Sequence, residues 1–169
     1  MAARDMTPGS KTVDETHVSP NRSAALFATE GSAREWLCRA DPRVRIPTSS
    51  QRRALMISFA ERGIALVASA FEAVRLDGEV DLDDSSDITA HADGVTLIEI
   101  KSTNQAKIGA DLAGYFFNIT AAELLTAQTL GEHHRFAFVN TARGEWQELG
   151  IRDILAKAKA MYPAFHIRF

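Results

Sequence analysis

Residues Val95 to Lys101 read Val-Thr-Leu-Ile-Glu-Ile-Lys, and this run constrains the fold more than any other stretch of the chain. Successive strand side chains point to opposite faces. Val95, Leu97, Glu99 and Lys101 therefore share one face, and Thr96, Ile98, Ile100 and Ser102 the other. Both faces begin apolar, as expected of a strand covered on both sides, which places it in the interior of a sheet. The same face then ends in a carboxylate and an ammonium two residues apart. Glu99-Ile100-Lys101 is the single acid-x-Lys triplet in the sequence.

The flanking segments supply the cover for such a sheet. Apolar residues Leu55, Phe59, Leu66, Ala70 and Val74 recur at helical spacing, predicting a helix from about Gln51 to Leu76 with Ser49 or Ser50 as its cap. Glu61 and Glu72 lie eleven positions apart within it, close to a whole number of turns, so both can face one site. Thr120 precedes a helix over Ala121 to about Leu130, with Glu123 at the capping-box offset. Arg135 to Val139 reads as a further strand and Ile151 to Met161 as a final helix. The expected class is α/β, with a mixed sheet flanked by helices.

Before this unit, residues 1–20 read as a flexible tail rich in Ser, Thr, Pro and Gly. Residues 21–50 read as a helix from Arg22 to Arg39, interrupted at Gly31, followed by a Pro-containing linker, leaving 51–169 as the main domain. A chain of 169 residues can bury a core without disulfides. The single cysteine, Cys38, predicts a packing role in a reducing cytoplasm. The longest apolar run, Ile64 to Phe71, is too short to span a bilayer, and the N-terminal residues carry charges and prolines where a signal peptide needs an apolar run.

The chemistry concentrates on the return strand. Phosphodiester hydrolysis uses a divalent cation to polarise phosphate oxygens and acidify a water. Mg²⁺ takes a few carboxylate oxygens and retains several waters, which Asp87 and Glu99 could satisfy. Lys101 could orient that water or stabilise charge on phosphate. Asp87 to His91 alternates and reads as a strand that turns at Asp93-Gly94 into Val95 to Lys101 as a hairpin, so whether Asp87 reaches depends on the turn. Three residues, Ala92-Asp93-Gly94, with Gly in the left-handed position would pair Asp87 directly with Glu99, their Cβ atoms about 5 Å apart.

Ser86-Asp87-Ile88, the eleven residues between Asp87 and Glu99, and Ile98-Glu99-Ile100-Lys101 resemble the PD-(D/E)xK nuclease superfamily, with Ser86 in place of the proline. The stretch from Tyr115 to Glu123, followed by Arg135 to Asn140, is similar to restriction-endonuclease-like domains of the "NO VEIN" C-terminal type. The resemblance covers about Gln51 to Asn140. It implies a restriction-endonuclease-like core over 51–169 and a Mg²⁺-dependent endonuclease (Mn²⁺ a substitute) acting on nucleic acid, DNA before RNA. It also implies metal binding at Asp87, Glu99 and Ile100, catalysis by Asp87, Glu99 and Lys101, and assistance from Glu61 on the upstream helix, with Glu72 in reserve.

The net charge of −3 provides no global basic field for a nucleic-acid partner. The arginines Arg34, Arg39, Arg43, Arg45, Arg52 and Arg53 are nevertheless gathered ahead of the acidic segment, where they could grip phosphates. Cutting both strands of a duplex takes two sites, which a homodimer would supply. Asp81, Asp83 and Asp84 lack the glycine and distal glutamate of a calcium loop and read as a solvated connection. His133-His134 reads as a surface pair and Glu123 as a helix cap. The alternative function is an interaction module that keeps the fold without hydrolysis.

Overall fold

A computed structural model of the chain describes residues 31–109 and 111–162. The predicted tail over 1–20 and the part of the N-terminal helix before residue 31 lie outside the described residues. Residues 31–40 form helix α1. A five-stranded sheet follows in the order β1-β2-β3-β4-β5. Its strands are β1 (Val44–Arg45), β2 (Ala73–Leu76), β3 (Val95–Thr103), β4 (His134–Asn140) and β5 (Glu145–Leu149). The helices are α2 (Ser49–Glu61), α3 (Ser85–Ala90), α4 (Ala121–Leu130) and α5 (Ile151–Lys157).

β3 is the middle strand, and its first six residues are all buried, as its two apolar faces require. It pairs antiparallel with β2 and parallel with β4, so the sheet is mixed. On one face Ile98 and Ile100 pack with Ala73, Ala137 and Val139 under Ala33 and Leu37 of α1. On the other, Val95, Leu97 and Val74 pack against Leu55 and Phe59 of α2 and Ile88 of α3. Phe136 and Phe138 continue that face beneath α4 and α5. Among the described residues, no helix is long and apolar enough to cross a membrane.

Three expectations are corrected here. The helix predicted to run to Leu76 ends at Glu61 after a start capped by Thr48, whose capping box uses Gln51. Gly63, at φ +78°, turns the chain in a conformation that disfavours other residues. After a short 3₁₀ turn at Ala68–Ala70, the chain is extended, and Ala73 to Leu76 find hydrogen-bonding partners on both sides, in β1 and β3. Residues 66, 70 and 74 thus fit a helical period although they belong to three different local conformations.

The second correction concerns the hairpin. The antiparallel neighbour of β3 on that side is β2, with Leu76 opposite Val95, and residues 87–91 are not a strand. Asp84 accepts the Ser86 amide proton at 2.8 Å and caps α3, which places Asp87 in the first helical turn. An anionic side chain is favoured there by the helix dipole. The final helix is also shorter than expected, ending at Lys157 instead of Met161. β5 is a partly buried edge strand that the polar string Glu-Trp-Gln-Glu-Leu does not announce.

Candidate active site

Glu99 and Lys101 face the same side of β3, opposite Phe136 and Phe138 of the parallel neighbour β4. Their side chains are only 9% and 12% exposed. The Lys101 ammonium donates to Glu99 Oε1 at 2.9 Å and to Glu123 Oε2 at 2.7 Å. Glu123 is held by the start of α4. Its amide donates to Thr120 Oγ1 at 3.2 Å, while Thr120 N–H donates to Glu123 Oε2 at 3.3 Å. One carboxylate oxygen therefore serves both the helix cap and the lysine. The capping signal explained Glu123 fully enough in sequence to hide its second contact.

A third carboxylate adjoins these. The Glu72 amide donates to the Ile98 carbonyl at 2.8 Å, which sets the start of β2 beside the Ile98–Glu99 peptide. Arg34 of α1 pairs with Glu72 Oε1, while Glu72 Oε2 is buried with no hydrogen-bond partner among the described residues. From α2, Arg52 donates to the Ala68 carbonyl at 2.8 Å and to the Phe71 carbonyl, and its guanidinium lies 4.4 Å from the Phe71 ring centroid.

Burial pushes the Glu99 carboxyl up to about 7, against the charge and hydrogen bond of Lys101, and the negative charges of Glu123 and Glu72 push the same way. Burial opposes the Lys101 ammonium, but the two carboxylates around it hold its pKa above the ordinary lysine value. Burial also lowers the Arg52 guanidinium, which Glu72 and Glu99 partly offset. Three carboxylates, Glu72, Glu99 and Glu123, thus meet three cations, Arg34, Arg52 and Lys101, in a poorly solvated setting.

The other predicted residues stand elsewhere. Asp87 Oδ2 accepts the Asp81 amide proton at 2.7 Å, and its Oδ1 lies 3.1 Å from His91 Nδ1. Glu61, exposed at the end of α2, accepts from Thr89 Oγ1 at 3.1 Å. Both thus belong to the α2–α3 region, where the 77–94 connection enters β3 at Val95. Val95 is four residues from Glu99, about 13 Å along a strand. The direct pairing of Asp87 with Glu99 does not form. The Ile100 side chain packs on the opposite face of the sheet, leaving its backbone carbonyl as the one polar acceptor it could offer.

Of the clustered arginines, Arg34 and Arg52 reach the site. Arg43 bonds Asp41 and Asp77, each at 2.8 Å, and Arg45 bonds the carbonyls of Pro42 and Val44. Among the described residues, no group of three or more His, Cys, Asp or Glu side chains is arranged to hold a metal ion. Two carboxylates remain a fit for Mg²⁺, which keeps most of its waters. The orphaned Glu72 Oε2 is the kind of buried acceptor a cation would satisfy. Comparison with protein-family models, curated proteins and solved structures finds no match.

Proposed function

We propose that this chain is a divalent-metal-dependent nuclease on a restriction-endonuclease-like core, with Glu72 in the role the sequence suggested for Asp87. The observation that carries the reading is the buried Lys101, held between Glu99 and Glu123 near the Glu72 carboxylate, one oxygen of which is unsatisfied among the described residues. Glu72 and Glu99 would hold Mg²⁺ or Mn²⁺. When bound, the cation would stabilise charge on phosphate oxygens and acidify the attacking water.

The chain's own residues do the rest. Lys101 carries a fixed ammonium whose direction is set by two hydrogen bonds, so it can orient a nucleophile and stabilise charge on the scissile phosphate. Glu123 holds that ammonium in place. Arg34 and Arg52 border the carboxylates and would supply local phosphate contacts despite the net charge of −3. DNA is the favoured substrate, a homodimer would serve duplex cutting, and the cytoplasm is the proposed location.

The test is cleavage of supercoiled plasmid, single-stranded DNA and RNA with Mg²⁺ or Mn²⁺, comparing the protein with Lys101→Ala. Metal-dependent cleavage lost in the variant is the expected result, and its substrate range decides DNA against RNA. Equal cleavage by both proteins would overturn the reading. One observation favours a non-catalytic interaction module instead: Arg34 and Lys101 already pair with the carboxylates without a metal. No cleavage together with no Mn²⁺ binding by calorimetry would select that module.

A further inference from the structure

His134 opens β4, is fully buried, and touches none of the carboxylates described above through a hydrogen bond. Its Nε2 lies 2.9 Å from the Ala70 carbonyl oxygen. A carbonyl can only accept, so Nε2 carries the proton and Nδ1 is a lone pair, which is buried without a hydrogen-bond partner among the described residues. Burial keeps the ring neutral by depressing its pKa. A buried imidazole with one unmet nitrogen is a costly way to fill space beside Phe136, whose ring it meets edge-on at 5.0 Å between centroids. Its hydrogen bond to Ala70 is what an apolar residue of similar size would lack.

Ala70 lies two residues before Glu72, at the end of the 3₁₀ turn that leads into β2. Arg52 grips the same segment from α2, through the carbonyls of Ala68 and Phe71. The carbonyls of residues 68, 70 and 71 are thus all held by side chains of distant elements, and the following amide, that of Glu72, is held by Ile98. This segment lies outside the regular ladder of β2, which begins at Ala73.

We propose that His134 and Arg52 form a clamp on the 68–71 segment that positions Glu72 beside Glu99. Both are positioning residues, acting through backbone. The inference rests on the reading of Glu72 and Glu99 as the metal-holding pair. Groups that orient ligands in this indirect way change metal affinity by about 10–100-fold when removed.

The experiment compares His134→Leu with His134→Gln, whose side-chain amide can replace the Nε2–H donor. Two readouts are taken on the full chain: Mn²⁺ affinity by calorimetry, and NMR hydrogen exchange of the Glu72 amide relative to amides of β3. His134→Leu is expected to weaken Mn²⁺ binding about tenfold or more and to speed Glu72 exchange selectively, with His134→Gln restoring both. Unchanged affinity and unchanged Glu72 protection in His134→Leu would overturn the clamp. If the unsubstituted protein binds no Mn²⁺, the metal reading fails, and the exchange result alone decides the clamp. Should His134→Leu not fold, Arg52→Met, which releases the carbonyls of Ala68 and Phe71, is judged by the same readouts.

Discussion

Lys101 and Glu123 lie 22 residues apart on different elements, yet their side chains meet at 2.7 Å in a nearly solvent-free setting. The contact fixes a strand to the first turn of a helix. It also gives the lysine a second anion beyond its strand neighbour Glu99. Removing Lys101 would leave two buried carboxylates unmatched, which costs far more than an exposed ion pair is worth, whereas loss of the Glu123 charge still leaves Lys101 paired with Glu99.

Glu123→Gln separates the two jobs of that carboxylate. Glutamine also completes a capping box, so thermal stability should stay within about 1 kcal/mol of the parent protein. Metal-dependent cleavage should fall roughly 10–100-fold because Lys101 loses an anionic partner. Glu123→Ala should lose both stability and cleavage. Melting curves and a plasmid assay on the same preparations check this.

Glu72→Gln should reduce metal-stimulated cleavage by about two orders of magnitude, since several kcal/mol of charge stabilisation pass through its site. Asp87→Asn and Glu61→Gln lie in the α2–α3 region and should leave cleavage within about twofold. If Asp87→Asn proved the inactive variant, the assignment of Glu72 would be wrong.

Stability without divalent cations should depend on Glu99 in a definite direction. Its carboxyl is raised from 4.5 to about 7, so between those values the folded protein keeps a proton that the unfolded chain has lost. The resulting stabilisation is fully present below pH 4.5 and lost as pH rises through about 7. His134, lowered from 6.5, acts oppositely, weakening the fold as pH falls below 6.5. Glu99→Gln removes the first effect. Its stability relative to the parent should therefore rise from pH 5 to pH 8 by on the order of 2 kcal/mol, read from denaturant midpoints. A pH-independent difference would count against the proton on Glu99.

Leu37→Ala should destabilise the protein by about 2–5 kcal/mol. Leu37, a residue of α1, is fully buried against Ile98 and Ile100, on the face opposite Glu99. Chemical denaturation measures the loss. An effect below 1 kcal/mol, the level of a surface substitution, would show that α1 is not part of the cooperative unit.

The sequence was legible where a local signal sufficed. Val95 to Lys101 carried its strand and its central position, and Thr120 with Glu123 carried the start of α4. It was illegible where the deciding partner was distant. Ala73 to Leu76 is a four-residue strand whose apolar spacing also fits a helix, and only pairing with β1 and β3 settles it. The alternating Asp87 to His91 looked like a strand, but Asp84 caps a short helix there. Half of the candidate site, Glu99 and Lys101, was readable from one strand. Glu72 and Glu123 arrive through tertiary packing, and His134, expected at the surface, is fully buried at the sheet's interior.

Among the described residues, β3 and β4 form the sole parallel pair, and the crossover between them contains α4 and therefore Glu123. The chain cannot complete its central sheet without also bringing in the residue that captures Lys101. Until that crossover packs onto the sheet, Lys101 lacks its second anion, Glu123, so on the proposed nuclease reading an incompletely synthesised or partly folded chain would be chemically silent. Tertiary completion is in effect the safety catch of the site.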